Sequence, residues 1–349
     1  MTTLDRTGAS RTGASRTGAS RTGASRTDAR PPGAPGAEPA GRTRRRRTGR
    51  RLSVRSRWEL ALLLTPALVL FVLFVLVSIA AAVYYSFFDW NGFGPPTKLV
   101  GFANYTKALA DPMFQGALRH NIQFAVLSIV VQLPLTLGLA LLLNGRIRGR
   151  AALRLIAFTP YVLSEAITAV AWLVMLQPGG AVDEGLRSVG LDGLVHEWLA
   201  DQDLVLYTLF VVATWKYIGF GIILFLAGLQ GVPAELREAA ALDGATQWQT
   251  TRKVVLPLLG PTIRIWIFLS VIGSLQLFEL VWIMTLGGPA GSSATMATYV
   301  IDRGFRRYQF GYGSAVAVLL FAVCFVFALL YQRFALRRDS AGALSGRVD

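Results

Sequence analysis

Six runs of about 20 or more mostly apolar residues, at roughly 61–84, 122–144, 155–177, 204–229, 262–285 and 311–333, constrain this chain more than any other feature. At 1.5 Å of rise per residue, each run can cross about 30 Å of hydrocarbon as a helix. Backbone N–H and C=O groups find no water at that depth, so helices satisfy them internally where open strands could not. The expected fold class is an all-α membrane protein with six transmembrane helices. Pro66, Pro134 and Pro160 fall inside runs and predict kinks or locally broken helices. Composition agrees: 53% of the 349 residues are hydrophobic, 16% are charged, and the mean hydropathy is +0.47. That is too apolar for an ordinary soluble domain.

The remaining segments divide the chain. Residues 1–57 read as a disordered basic tail, with four copies of RTGAS at 6–25 and RTRRRRTGRRLSVRSR at 42–57. Residues 58–335 form the six-span domain and 336–349 a short second tail. With the N-terminus inside, 27 of the 35 lysines and arginines lie on the inner side, seven lie outside, and Lys216 sits in a span. Without the long tail the ratio is still 12 to seven, so both termini are expected in the cytoplasm. The net charge of +15 therefore faces anionic lipid on the inner face and calls for no nucleic-acid partner.

Several chemistries lack their residues. Cys324 is the only cysteine, and His120 and His196 stand far apart, so no metal-ligand spacing occurs and no cofactor is called for. There is no G-x-x-x-x-G-K-[ST] phosphate loop, no G-x-S-x-G elbow and no H-E-x-x-H. No catalytic residue is assigned, and the chain is not expected to hydrolyse ATP or to be an enzyme.

The polar stretch between the fourth and fifth runs, 231–257, carries local helix signals. GVPAELREAAALDG reads as a short helix, with Pro233 in its first turn and Gly244 at its left-handed stop. Thr246 and Gln249 have the spacing of a capping box, which starts a second helix that Pro257 ends. Ala239, Ala240 and Ala241 leave a low face beside Glu238, which has Leu242 rather than a basic partner one turn on. Such a face suits either docking into another protein or folding back on its own bundle.

The pattern Glu238-Ala239-Ala240, three residues, Gly244, nine residues, Val254, then Leu256-Pro257 resembles the EAA loop of permease subunits in bacterial ABC importers, with valine where the family has isoleucine. FLAGLQGVPAELREAAALDGATQWQ, LFELVWIMTLGGP at 277–289 and LVGFANYTKALADPMFQGALRHNIQFA at 99–125 are similar to the sugar branch of that family, of maltose and glycerol-3-phosphate type. The resemblance covers about residues 58–335. It implies the type I ABC importer permease fold in a bacterial plasma membrane and half of a pathway for a sugar or related polyol. It further implies a second homologous permease, two ATP-binding subunits and an extracellular solute-binding protein as partners. By the same resemblance Glu238, Ala239, Ala240, Asp243, Gly244, Leu256 and Pro257 couple the chain to its ATPase.

Three ionisable residues lie inside runs, Glu165, Lys216 and Glu279. Charges at membrane depth usually face a bundle interior or a water-filled cavity. With Gln276, and with aromatics such as Trp172 and Trp282, they could line a sugar path. They could equally form structural pairs between spans, and the tryptophans could belong to an interfacial belt. Gly219, Gly221 and Gly228 read as close-packing positions. The alternative function is an ion-coupled secondary transporter, which would carry paired repeats that the spans lack.

Overall fold

The computed structural model describes residues 54–145 and 148–336, with side chains over 62–335. The repeat tail and most of both terminal segments lie outside the described residues. Helix begins at Val54, four residues inside the stretch read as tail. Among the described residues the chain is helical, with one isolated antiparallel bridge between Phe88 and Leu99.

Four helices are long and apolar enough to cross a membrane unbroken: Leu62–Ser86, Pro112–Asn144, Val205–Gln230 and Phe310–Ala335. Two bent pairs complete up to six spans. Arg150–Val162 and Glu165–Met175 meet at 98°, and Gln247–Leu258 and Gly260–Leu275 meet at 65°. The second span starts ten residues before its apolar run. Asp111 caps it by accepting the Met113 N–H at 2.9 Å, and Pro112 takes a first-turn position where no N–H is needed.

The breaks depart from the proline-based expectation. Pro160 lies within Arg150–Val162, and the third span breaks after it, where Ser164 caps the next helix through the Ile167 N–H. The fifth span, expected to be continuous over 262–285, ends at Leu275 and resumes as the short helix Glu279–Thr285. Pro134 perturbs its helix without breaking it. Its ring crowds the carbonyl four residues back, at Val130, and that residue lies in a π-helical turn, Ser128–Gln132. Pro257 behaves likewise: Thr251–Val255 is a π turn and Pro257 sits in the following turn, Leu256–Leu258, so the bend falls at Leu259.

The fourth span is the hub, with 56% of its apolar window buried against none of the first span's. It packs on Leu133–Asn144 and on Arg150–Val162. Backbones approach closely there. A Cβ at Gly219 would meet the Ala157 carbonyl and the Phe158 backbone, and one at Gly228 would meet Thr262. A core of Phe225, Ile222, Leu259 and Trp266 closes this end of the bundle. The end of the first span, Val77–Ser86, packs instead on the last span.

Candidate functional site

Each broken span leaves backbone carbonyls without partners in its own helix, and at membrane depth these must be satisfied by other groups. At the third span Lys216, only 3% exposed, donates its Nζ to the Leu163 carbonyl at 2.7 Å. At the fifth span the fully buried Asn121 donates to the Ser274 carbonyl at 2.6 Å and the Leu275 carbonyl at 3.3 Å. Its Oδ1 accepts the Met296 N–H at 2.8 Å, and Thr295 Oγ1 donates to the Leu277 carbonyl at 2.7 Å. A glutamate opens the helix after each break, Glu165 and Glu279, and those two helices pack against one another.

This arrangement encloses a cavity of about 460 Å³, lined among others by Gln132, Glu165, Tyr217, Trp266, Gln276 and Glu279. The Tyr217 hydroxyl donates to Glu165 Oε2 at 2.9 Å. The π turn of the second span sends both Ser128 and Gln132 to the wall. Of the four pathway residues read from sequence, Glu165, Gln276 and Glu279 come together here. Lys216 is not in the lining; its ammonium is spent on the Leu163 carbonyl. Trp172 stacks edge-on with Trp215, and Trp282 packs on Phe278 and faces Arg306, so neither tryptophan lines the cavity.

The polar loop has the two helices expected of it, Ala234–Leu242 and Gln247–Thr250. Pro233 takes the N-cap position, one residue before the first turn. Gly244, at φ +78°, donates to the Ala241 carbonyl at 3.1 Å, and the Ala245 N–H reaches the Ala240 carbonyl at 2.9 Å. These paired bonds close the helix in a Schellman motif, with Asp243 at the C-cap. Thr246 and Gln249 form both halves of the capping box. Val255 and Leu259 are buried and tie the loop's end to the bundle, whereas Ala234–Leu242 buries no residue. Glu238 has no hydrogen-bond or ion-pair partner among the described residues, and Leu242 and Trp248 are 90% and 68% exposed.

At the opposite end a second polar cluster forms that the sequence reading missed. Asp111 Oδ2 accepts from Tyr299 at 2.5 Å and faces Arg303 at 3.4 Å and Tyr312 at 3.5 Å. Burial works against the Asp111 carboxylate, but the hydrogen bonds from Tyr299 and Met113 and the charge of Arg303 outweigh it and hold its pKa below the ordinary value. Burial and the bond to that carboxylate push the Tyr299 hydroxyl pKa well up. In the loop after the third span, Asp183 accepts from Trp198 Nε1 and the Gly179 N–H, both at 2.8 Å. Those bonds, the tryptophan's foremost, lower its pKa.

Residues 132–340 match the family described as the binding-protein-dependent transport system inner membrane component. The chain belongs to that family. The permease is 35% identical over 272 residues to a probable ABC transporter permease of Pyrococcus horikoshii, covering 77% of this chain and 93% of the relative. It is 36% identical over 306 residues to the diacetylchitobiose uptake system permease NgcF of Streptomyces coelicolor, covering 84% and 86%. Its fold matches a chain in the crystal structure of a bacterial ABC transporter that imports the acidic polysaccharide alginate. That match has a TM-score of 0.71 and 23% identity, and covers 81% of this chain and 97% of the other. It also matches a chain in the crystal structure of a bacterial alginate ABC transporter in complex with an alginate pentasaccharide-bound periplasmic protein, with a TM-score of 0.71 and 23% identity, covering 81% of this chain and 96% of the other. Family membership favours the ABC permease reading over the ion-coupled one, and makes the chain a membrane-embedded transport component.

Proposed function

We propose that this permease forms half of the membrane pathway of a binding-protein-dependent importer for a sugar or related polyol. In this reading a second homologous permease completes the pathway, two ATP-binding subunits drive it, and an extracellular binding protein delivers the cargo. The observation that carries the reading is the cavity between the two broken spans. It is lined by carboxylates, amides and aromatic rings, the mixture that grips polyhydroxylated rings. The relatives in sequence include a diacetylchitobiose uptake permease, which favours a saccharide cargo.

The loop 231–257 is the handle in this mechanism. Its alanine face, its partner-free Glu238 and its exposed Leu242 and Trp248 suit a groove on a cytoplasmic ATPase. Glu238, Ala239, Ala240, Asp243 and Gly244 would form the gripped surface. Leu256 and Pro257 would join it to the fifth span across the bend at Leu259. ATP can shift the pathway between inward and outward states only by differential affinity for them, and a rigid capped loop would transmit that difference. Both termini lie in the cytoplasm on this reading, as the basic residues favour. Arg303, Arg306 and Arg307, on the outer side, are each paired with Asp111 or Asp302, so they weigh little against that orientation.

Uptake of labelled sugars by a strain lacking the gene, complemented with wild type, Glu238→Ala or Gly244→Asp, tests the reading. Wild type should restore uptake of at least one saccharide, and both variants should lose it while still reaching the membrane. Full uptake by both variants would refute the coupling role. Transport by the isolated chain in liposomes, with no ATPase present, would refute the whole scheme.

A further inference from the structure

Resting on the reading of the cavity as a sugar path, we propose that Glu165 and Glu279 make it a charge filter that accepts uncharged saccharides and rejects anionic ones. Among the described residues these two carboxylates are the only acidic groups in the lining, and it holds no lysine, arginine or histidine. One cation, Lys216, lies within electrostatic reach of both carboxylates, but it is buried, outside the lining and turned onto the Leu163 carbonyl, so it offsets only one of the two charges. A sugar phosphate, sulfonate or uronate entering the cavity would meet two negative groups and no cation in the lining itself. Opposed charges of like sign at short range in a partly desolvated space repel strongly.

The carboxylates converge because of the fold. Each is the first residue of the helix that follows a break, and the two helices pack together. Both line the same cavity. Glu165 engages Tyr217 with Oε2 alone, and Glu279 has no hydrogen-bond or ion-pair partner among the described residues. Free carboxylate oxygens accept sugar hydroxyls well through charge-assisted bonds. Tyr161 and Trp266 add aromatic rings to the same lining. The wall thus attracts hydroxyls and repels anions.

The test uses the permease complex purified through a tag on this chain, without its binding protein, so that selectivity comes from the membrane part. Diacetylchitobiose and maltose serve as uncharged probes, and glycerol-3-phosphate and an alginate trisaccharide as anionic ones, with binding read by calorimetry. Wild type should bind an uncharged probe at least about tenfold more tightly than either anionic one, a gap of about 1.4 kcal/mol. Glu165→Gln with Glu279→Gln should shift the anionic-to-uncharged affinity ratio about tenfold or more toward the anions. Glu→Asp at both positions keeps the charge and should keep the rejection. Raising the salt should narrow the wild-type gap, which checks the idea even if the glutamine variant fails to fold. An unchanged ratio in the glutamine variant, or a salt-insensitive gap, would overturn the filter while leaving the sugar path standing. If none of the probes bound, the path itself would fall and the filter with it.

Discussion

The loop at 231–257 and the cavity are both made from interrupted helices, but their interruptions are satisfied over different distances. In the loop every free end finds a partner within a few residues: Gly244 and Ala245 reach back to Ala241 and Ala240, and Thr246 and Gln249 cap each other. At the cavity the Leu163 carbonyl is met by Lys216, 53 residues away, and the Ser274 carbonyl by Asn121, 153 residues away. A locally closed element keeps its shape wherever it is carried, which suits a handle. A break held by a distant side chain is only as stable as the packing of both elements, which suits a wall that must rearrange.

That contrast predicts a ranking of effects. Asn121→Leu should cost the most, about 2 kcal/mol, since it removes three bonds and orphans carbonyls at the end of the fifth span. The thermal midpoint of the detergent-purified complex should fall clearly; an unchanged midpoint would remove the long-range patch from the account. Lys216→Met should cost somewhat less, about 1.5 kcal/mol, because one carbonyl loses its charged partner. Proteolysis at the 163–164 break should then rise, and protection there equal to wild type would count against the brace. Thr246→Ala should cost about 0.5–1 kcal/mol through one lost cap. Its effect should appear as slower ATP-driven uptake with little change in the complex's melting. A melting loss as large as that of Asn121→Leu would erase the distinction between the two regions.

The last effect concerns the outer cluster and is read in the pH dependence of stability. The folded pKa of Asp111 lies below its ordinary value of 3.8, so the unfolded chain takes up the proton first as pH falls. Its stabilisation is complete above the ordinary carboxylate range and is lost as pH drops through the lowered folded value. Stability of wild type should therefore decline in acid more steeply than that of Asp111→Asn, with the two curves converging at the lowest pH. Parallel curves would show that the Tyr299 and Arg303 contacts do not favour the carboxylate.

The loop was legible in the sequence because its signals are local. Thr246 and Gln249 sit at capping-box spacing, Gly244 sits where a left-handed stop is needed, and the structure has both. The cavity was legible only in part. Glu165 and Glu279 stood out as charges among apolar residues, but nothing adjacent to them marks where their spans break. Proline was the local signal of interruption, and it marked the third span but not the point of the break, since Pro160 stays helical and the break falls at Leu163 and Ser164. Asn121 lay one residue outside the apolar run read from 122, so its polarity raised no question. The Asp111 cluster joins residues 188 and 201 positions apart, which no local pattern reveals.

The sequence by itself determined that the chain lives in a membrane as helices, because apolar length and backbone hydrogen bonding leave no other solution. It also determined the shape of the loop, because helix caps act within one turn. Only the tertiary structure decided where the third and fifth spans break and which charge faces the cavity. A carbonyl in hydrocarbon can be released from its helix only where some other element delivers a donor. Here those donors, Lys216 and Asn121, arrive from spans far away in the chain.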